Sequence, residues 1–148
     1  MIRLFSLLSL VASATILTAR ADLSWTVETV PFEKGTDKQV GGIDVLPDGR
    51  VFVCFHHGEI RLYDPETQEW TVFAEGVHEP LGIYAESESS IVIVQRPELT
   101  RISDTDGDGK ADRYRVISDQ FGMSGNYHEF ALGTLKAPDG SRILALKV

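Results

Sequence analysis

The residues from 40 to 118 carry one pattern twice. Superposing the chain on itself with a shift of 40 residues lays Gly42-Ile43 on Gly82-Ile83, Val51–Phe55 on Ile91–Gln95 and Asp64 on Asp104. Each unit is too short to bury its own apolar surface, so units that repeat at this spacing have to stack. Within a unit, short runs rich in β-branched and aromatic residues are separated by turn signals: Pro47-Asp48-Gly49, the stretch Asp64 to Thr67, and later Pro138-Asp139-Gly140. Helical periodicity is missing. The chain is therefore expected to be all-β, and a period of about 40 residues with four strands per unit is the mark of a β-propeller.

On this reading the first blade is GGIDVLP, RVFVCF, EIRLYD and WTVFAEG, and the second is LGIYAE, SIVIVQ, ELTRIS and RYRVIS. A third opens at Leu132-Gly133, 51 residues after the Leu81-Gly82 pair, and reaches its second strand at Val148. The expectation is a partial β-propeller of about two and a half four-stranded blades, with the rest of the propeller missing, because propellers close with roughly four to eight blades.

The delay before the third blade comes from an insertion, DTDGDGKAD, running from Asp104 to Asp112. Asp104, Asp106, Asp108 and Asp112 occupy positions 1, 3, 5 and 9 of an EF-hand-like loop, Gly109 the sharp-turn position 6, and Lys110 offers its backbone carbonyl at position 7. Four carboxylates so crowded repel one another unless a cation lies between them, and an all-oxygen set of this spacing suits Ca²⁺. Position 12 is Arg115 rather than a bidentate Glu, and the residues that follow, RYRVI, favour a strand. The loop thus reads as the tip of a hairpin, not as a helix-loop-helix sensor. The alternative is an acidic, glycine-rich turn that holds no metal.

Residues 1–21 have the make-up of a signal peptide: Arg3, then the apolar run LFSLLSLVASATIL, then Ala19-Arg20-Ala21 as a cleavage site. Asp22 is the expected first residue of a mature, exported chain, periplasmic or extracellular, and residues 22–148 are expected to form the N-terminal part of an incomplete propeller domain. The alternative is a retained anchor, although the run is short of the ~20 residues that span a bilayer. Removing residues 1–21 takes away Arg3 and Arg20 and deepens the formal charge from −8 to −10, which excludes nucleic acid and anionic lipid as expected partners. The single Cys54 lies in the apolar run VFVCF and reads as a buried small hydrophobe. Trp25 and Trp70 read as core. There is no haem-attachment, dinucleotide-binding, P-loop or zinc-protease signature.

In a blade whose strands alternate in direction, the loops entering strand one and joining strands two and three share one face. That face collects His56-His57, His78-Glu79, Gln95-Arg96 and Asn126, Tyr127, His128 and Glu129, while the proline-aspartate-glycine turns and the acidic loop go to the opposite face. All four histidines fall on the first face. A histidine beside a carboxylate can act as a general base near neutral pH, and Arg96 can hold an anionic group with its planar fork of donors. These residues serve equally well as structural elements of the rim, and the sequence leaves both roles open.

The segments HEPLGI (78–83), QRPELTRISDTDGDGKADRY (95–114) and SGNYHEFALG (124–133) resemble the N-terminal propeller of a family of exported membrane-bound dehydrogenases of planctomycetes and verrucomicrobia. That family is distantly similar to the soluble quinoprotein glucose and sorbosone dehydrogenases. The resemblance implies a sugar or polyol oxidoreductase, with pyrroloquinoline quinone in the funnel, structural Ca²⁺, His128 as the base with Arg96 beside it, and His78, Gln95 and Asn126 near the cofactor. The family's helical-repeat and cytochrome c parts have no counterpart in this sequence. A second class of function, a non-catalytic, calcium-braced propeller that binds a glycan or a protein, remains open beside it.

Overall fold

Two apolar runs, VFVCF and SIVIV, are the strands on which the described part of the molecule is built. The computed structural model describes residues 25–36 and 38–147; the expected signal peptide lies outside the described residues. A first antiparallel sheet is formed by β1 (Val40–Val45), β2 (Val51–Phe55), β3 (Glu59–Asp64) and β4 (Glu69–Glu75), paired in that order. The second repeats this order with β5 (Gly82–Ser87), β6 (Ser90–Val94), β7 (Leu99–Ser103) and β8 (Arg113–Ser118). A third, two-stranded sheet pairs β9 (Phe130–Lys136) with β10 (Arg142–Lys147). Among the described residues there is no helix, and so none long and apolar enough to cross a membrane.

Alternation along a strand sends successive side chains to opposite faces, and β2 and β6 are apolar on both. Phe52, Cys54, Ile60 and Phe73 of the first sheet pack with Ile83, Ile91, Ile93 and Ile102 of the second in one cluster. Val92 and Val94, on the other side of β6, join Leu99 and Ala131 in a second cluster against the third sheet. The second sheet is therefore buried on both faces, which accounts for its unbroken apolar run.

The repeated glycines explain themselves where the first strands meet. A β-carbon on Gly42 would lie 3.1 Å from the Cα of Gly82, and one on Gly82 would lie 2.7 Å from the Cα of Gly133. The strands β1, β5 and β9 thus approach main chain to main chain, a contact open only to glycine. Asp44 fastens the first two sheets further: its Oδ2 accepts from Ala85 N at 2.7 Å.

Among the described residues, those before β1 make no strand. They lie over the outer face of the first sheet, where Phe32 stacks on Trp70 at 4.9 Å and Trp70 Nε1–H donates to Pro31 O at 2.7 Å. Trp70, expected in the core, is half-buried by that stack and belongs to neither core cluster. Trp25, expected there too, is 66% exposed, because its segment ends up at the periphery of the sheet rather than between sheets. Cys54 is fully buried, and desolvation pushes its thiol up to about 12.

Candidate functional site

Since every strand pairing is antiparallel, the connections alternate between two ends of the sheets. One end carries the tight turns and the Asp104–Asp112 loop. The other carries the connections β2–β3 (56–58), β4–β5 (76–81), β6–β7 (95–98) and β8–β9 (119–129), and with them His56, His57, His78, Glu79, Gln95, Arg96, Asn126 and His128.

At the second end the centre of the arrangement is Arg96, whose side chain is only 9% exposed. Its Nη1 donates to Glu79 Oε2 at 2.7 Å and its Nη2 to the backbone oxygen of Asn126 at 2.6 Å. The guanidinium also lies 5.7 Å from the ring centre of Tyr127 and 5.1 Å from that of Phe130, a cation–π arrangement that stabilises a partly desolvated charge. Arg96 so ties the second sheet to the long β8–β9 connection. The same guanidinium holds the Glu79 carboxyl below the usual carboxylate range. His56 Nε2 lies 3.8 Å from the other oxygen of Glu79.

Gln95 is buried and its amide is fully used. Its Oε1 accepts from His78 N at 2.7 Å, and its Nε2 donates to Glu98 Oε1 at 3.0 Å and to Thr100 Oγ1 at 2.9 Å. It is a strut between two loops rather than a donor aimed at a ligand. Asn126 is likewise local: its side chain donates to Glu129 Oε1 and accepts from His128 N, both at 3.1 Å. Ser124 and Asn126 together hold the Glu129 carboxyl low. His78 and His128 are exposed, and the His128 ring meets Tyr127 edge-on at 5.7 Å.

Between the β8–β9 connection and the third sheet runs a cleft of about 320 Å³, with Arg96, Glu129 and Ser124 as polar wall and Phe121, Phe130 and Leu146 as apolar wall. The sequence placed Glu79 and Glu129 at this end but gave neither a partner, and it did not bring Phe121 to it.

At the opposite end the acidic loop closes on itself. Asp104 accepts from the backbone of Asp106, Gly107 and Gly109, at 3.2, 2.7 and 2.9 Å, and these bonds, the one from Gly107 foremost, keep its carboxyl low. Gly107 and Gly109 adopt φ of +81° and +85°, the left-handed region that suits glycine. One carboxylate oxygen from each of Asp104, Asp106 and Asp108 lies within 4.8 Å of the other two. Asp112 stands outside that group, since its two oxygens accept from Thr105 N at 3.0 Å and Thr105 Oγ1 at 2.6 Å. Lys110 N donates to Asp108 Oδ1 at 2.8 Å. The loop is docked on the first sheet by Ala111 N, which donates to Phe73 O at 2.7 Å, and by Tyr114 Oη, which donates to Glu75 O at 3.1 Å.

A family model described as a domain of unknown function, DUF7133, matches residues 22–145. No curated protein and no solved structure matches the chain.

Proposed function

This chain belongs to the DUF7133 family, and from that premise we propose that its sheets are successive blades of an exported β-propeller whose histidine-bearing end takes a sugar-like polyol. In this reading the polyol is the substrate of an oxidoreductase related to the quinoprotein sugar dehydrogenases, and Asp104, Asp106 and Asp108 hold a structural Ca²⁺ with the Lys110 carbonyl, while Asp112, bonded to Thr105, joins the shell only if it releases that residue. The observation that carries it is the convergence of Arg96, Glu129, Phe121 and Phe130 around one cleft, with Glu79 holding the guanidinium from outside it. Aromatic walls with carboxylate and guanidinium groups at the edge match the alternating apolar and hydroxyl faces of a sugar. Oxidation would take the hydroxyl proton to a base, for which a histidine is suited near neutral pH, and the C–H hydride to an acceptor supplied from outside these residues, such as the added quinone and dye of the assay below; His128 is the base by resemblance.

Pyrroloquinoline quinone carries carboxylates, and a cradle for it asks for cations and amides with hydrogens turned to the cleft. Here Arg96 is drawn to Glu79 and Asn126, the amide of Gln95 is used internally, and Glu129 adds a negative charge. These residues do not by themselves fit the quinone, and no step of the reading runs through it. The same internal bonding favours the second reading, a calcium-braced module that binds a glycan or a protein without chemistry.

A dye-linked oxidation assay over a panel of sugars and polyols, with Ca²⁺ and added quinone, run beside calorimetric binding to the same panel, separates the two. Turnover lost in His128→Ala supports the oxidoreductase and its base. Binding without turnover selects the second reading, and neither binding nor turnover removes the polyol.

A further inference from the structure

We propose that the face of the second sheet turned towards the third is a docking surface for an extended acidic segment, which adds as a strand to the open edge of β10 and lays its carboxylates on Arg101, Arg113, Arg115 and Arg142. The inference goes beyond the polyol reading and does not rest on it. The cleft reaches β10 only at Leu146 and Lys147, whereas the arginines gather towards Arg142 at the other end of that strand.

The register of the second sheet brings these arginines together. Val92 of β6 packs towards the third sheet, in the cluster with Leu99 and Ala131. Arg101 stands directly opposite Val92 on β7, and Arg115 directly opposite Arg101 on β8. Residues paired in this way point to the same side of a sheet, and Arg113, two positions before Arg115, shares that side. From the third sheet Arg142 completes the group: its guanidinium lies over the ring of Tyr84 at 4.5 Å, and its Nη2 donates to Glu86 Oε1 at 2.7 Å. Glu86 also receives Arg101, whose Nε and Nη2 reach it at 2.6 and 2.8 Å. Among the described residues no other carboxylate pairs with any of the four. In a chain with 22 acidic and 14 basic side chains, one carboxylate is thus left to four guanidiniums, and Arg113 and Arg115 are exposed. Like charges so placed repel one another until an anionic group comes among them.

Two further observations name the kind of anion. Arg142 Nη1 is buried and has no hydrogen-bond partner among the described residues, a state that is unfavourable until an acceptor reaches it. In addition, β10 pairs with β9 alone among the described strands, so its other edge presents unpaired main-chain N–H and C=O groups. Because β9 lies on β5 and β6, and Arg142 and Leu144 of β10 reach Glu86 and the Val92 cluster, a strand added beyond β10 falls over β7 and β8. Those are the strands that carry Arg101, Arg113 and Arg115. An open edge of this kind is completed by another polypeptide backbone, whereas a sulfate or a polysaccharide matches the charge but not the edge. Side chains alternate along a strand, so carboxylates at every second position of the incoming segment all turn to the arginines.

The experiment is fluorescence-anisotropy binding, to the whole chain, of a labelled peptide in which glutamate alternates with valine. Its controls are the same peptide with glutamine for glutamate, the same peptide with its backbone nitrogens methylated, and polygalacturonate as a competitor. The plain peptide is expected to bind and to slow amide exchange in residues 142–147. The glutamine and methylated peptides are expected to bind at least about tenfold more weakly, since one lacks the charges and the other the main-chain donors. The double variant Arg113→Gln with Arg115→Gln, both at exposed positions, is expected to weaken the plain peptide by about tenfold as well. No binding of the plain peptide, equal binding of the glutamine peptide, or an unaltered affinity in the double variant overturns the proposal. Equal binding of the methylated peptide, or equal competition by polygalacturonate at matched charge, shows a bare anion site and overturns the added strand. The peptide comparisons are made on wild type and decide the matter even should the variant fail to fold. None of these outcomes touches the polyol reading, which is tested on sugars alone.

Discussion

The two ends of the sheets are held together in opposite ways. At the acidic end the loop's carboxylates bond locally, Asp104 with Asp106, Gly107 and Gly109, and Asp112 with Thr105, none spanning more than seven residues, while Ala111 and Tyr114 dock the loop on the first sheet. At the histidine end they are distant, with Arg96 meeting Glu79 across 17 residues and Asn126 across 30. A local loop can form early and on its own, but crowded carboxylates leave it dependent on a counter-charge. A distant network forms only once the sheets have stacked, and its charges are already balanced inside it.

The largest expected effect tests that dependence. Ca²⁺ at about 100 times its dissociation constant is expected to raise stability by about 2.7 kcal/mol, read as a higher thermal midpoint than in chelator. Asp106→Ala is expected to abolish the difference. Equal midpoints for wild type with and without Ca²⁺ would show the acidic end to be self-sufficient and dissolve the contrast.

A smaller effect is expected from Arg96→Ala, about 1–2 kcal/mol, from two lost charge-assisted hydrogen bonds and a carboxylate left without its partner. Amide exchange should quicken in residues 119–129 and stay unchanged in residues 104–112. This variant also alters the acid limb. Arg96 depresses the Glu79 carboxyl, so in wild type its contribution is complete above the unfolded value of about 4.3 and is lost as pH falls through the lower folded value. In Arg96→Ala that acid-side loss should shrink, and a wild-type profile in the variant would count against the pair.

The smallest expected effect sharpens the comparison by its triviality. Arg50 Nη2 meets Glu88 Oε2 at 2.7 Å on the acidic end, linking the first two sheets, but Glu88 is 71% exposed. Glu88→Gln should shift denaturant midpoints by less than about 0.5 kcal/mol. A larger loss would mean that this end, too, relies on contacts between sheets.

The contrast also explains what the sequence made legible. Strands such as EIRLYD and RYRVIS fall where their β-branched and aromatic runs end, and the acidic loop could be read because the bonds of the Asp104 and Asp112 carboxylates lie within nine consecutive residues. The 40-residue shift revealed Gly42 and Gly82 without revealing why they recur, since the reason is a contact between sheets. The partners of Glu79 escaped notice because they lie far along the chain, and Gln95 looked like a donor for a ligand because nothing in its neighbours foretells that His78, Glu98 and Thr100 will consume its amide. Trp25 misled in the same way: a large aromatic is core only if its segment ends up between layers.

The glycine line that joins β1, β5 and β9 bears on which changes this chain can accept over time. Every codon change away from glycine adds at least one heavy atom, and at Gly82 even a methyl group would meet the main chain of Gly133 at 2.7 Å. The exposed rims can drift one residue at a time, and the facing layers can trade one apolar side chain for another of similar volume. Gly82 has no such neutral neighbours in sequence space, because any side chain there must displace the main chain of Gly133.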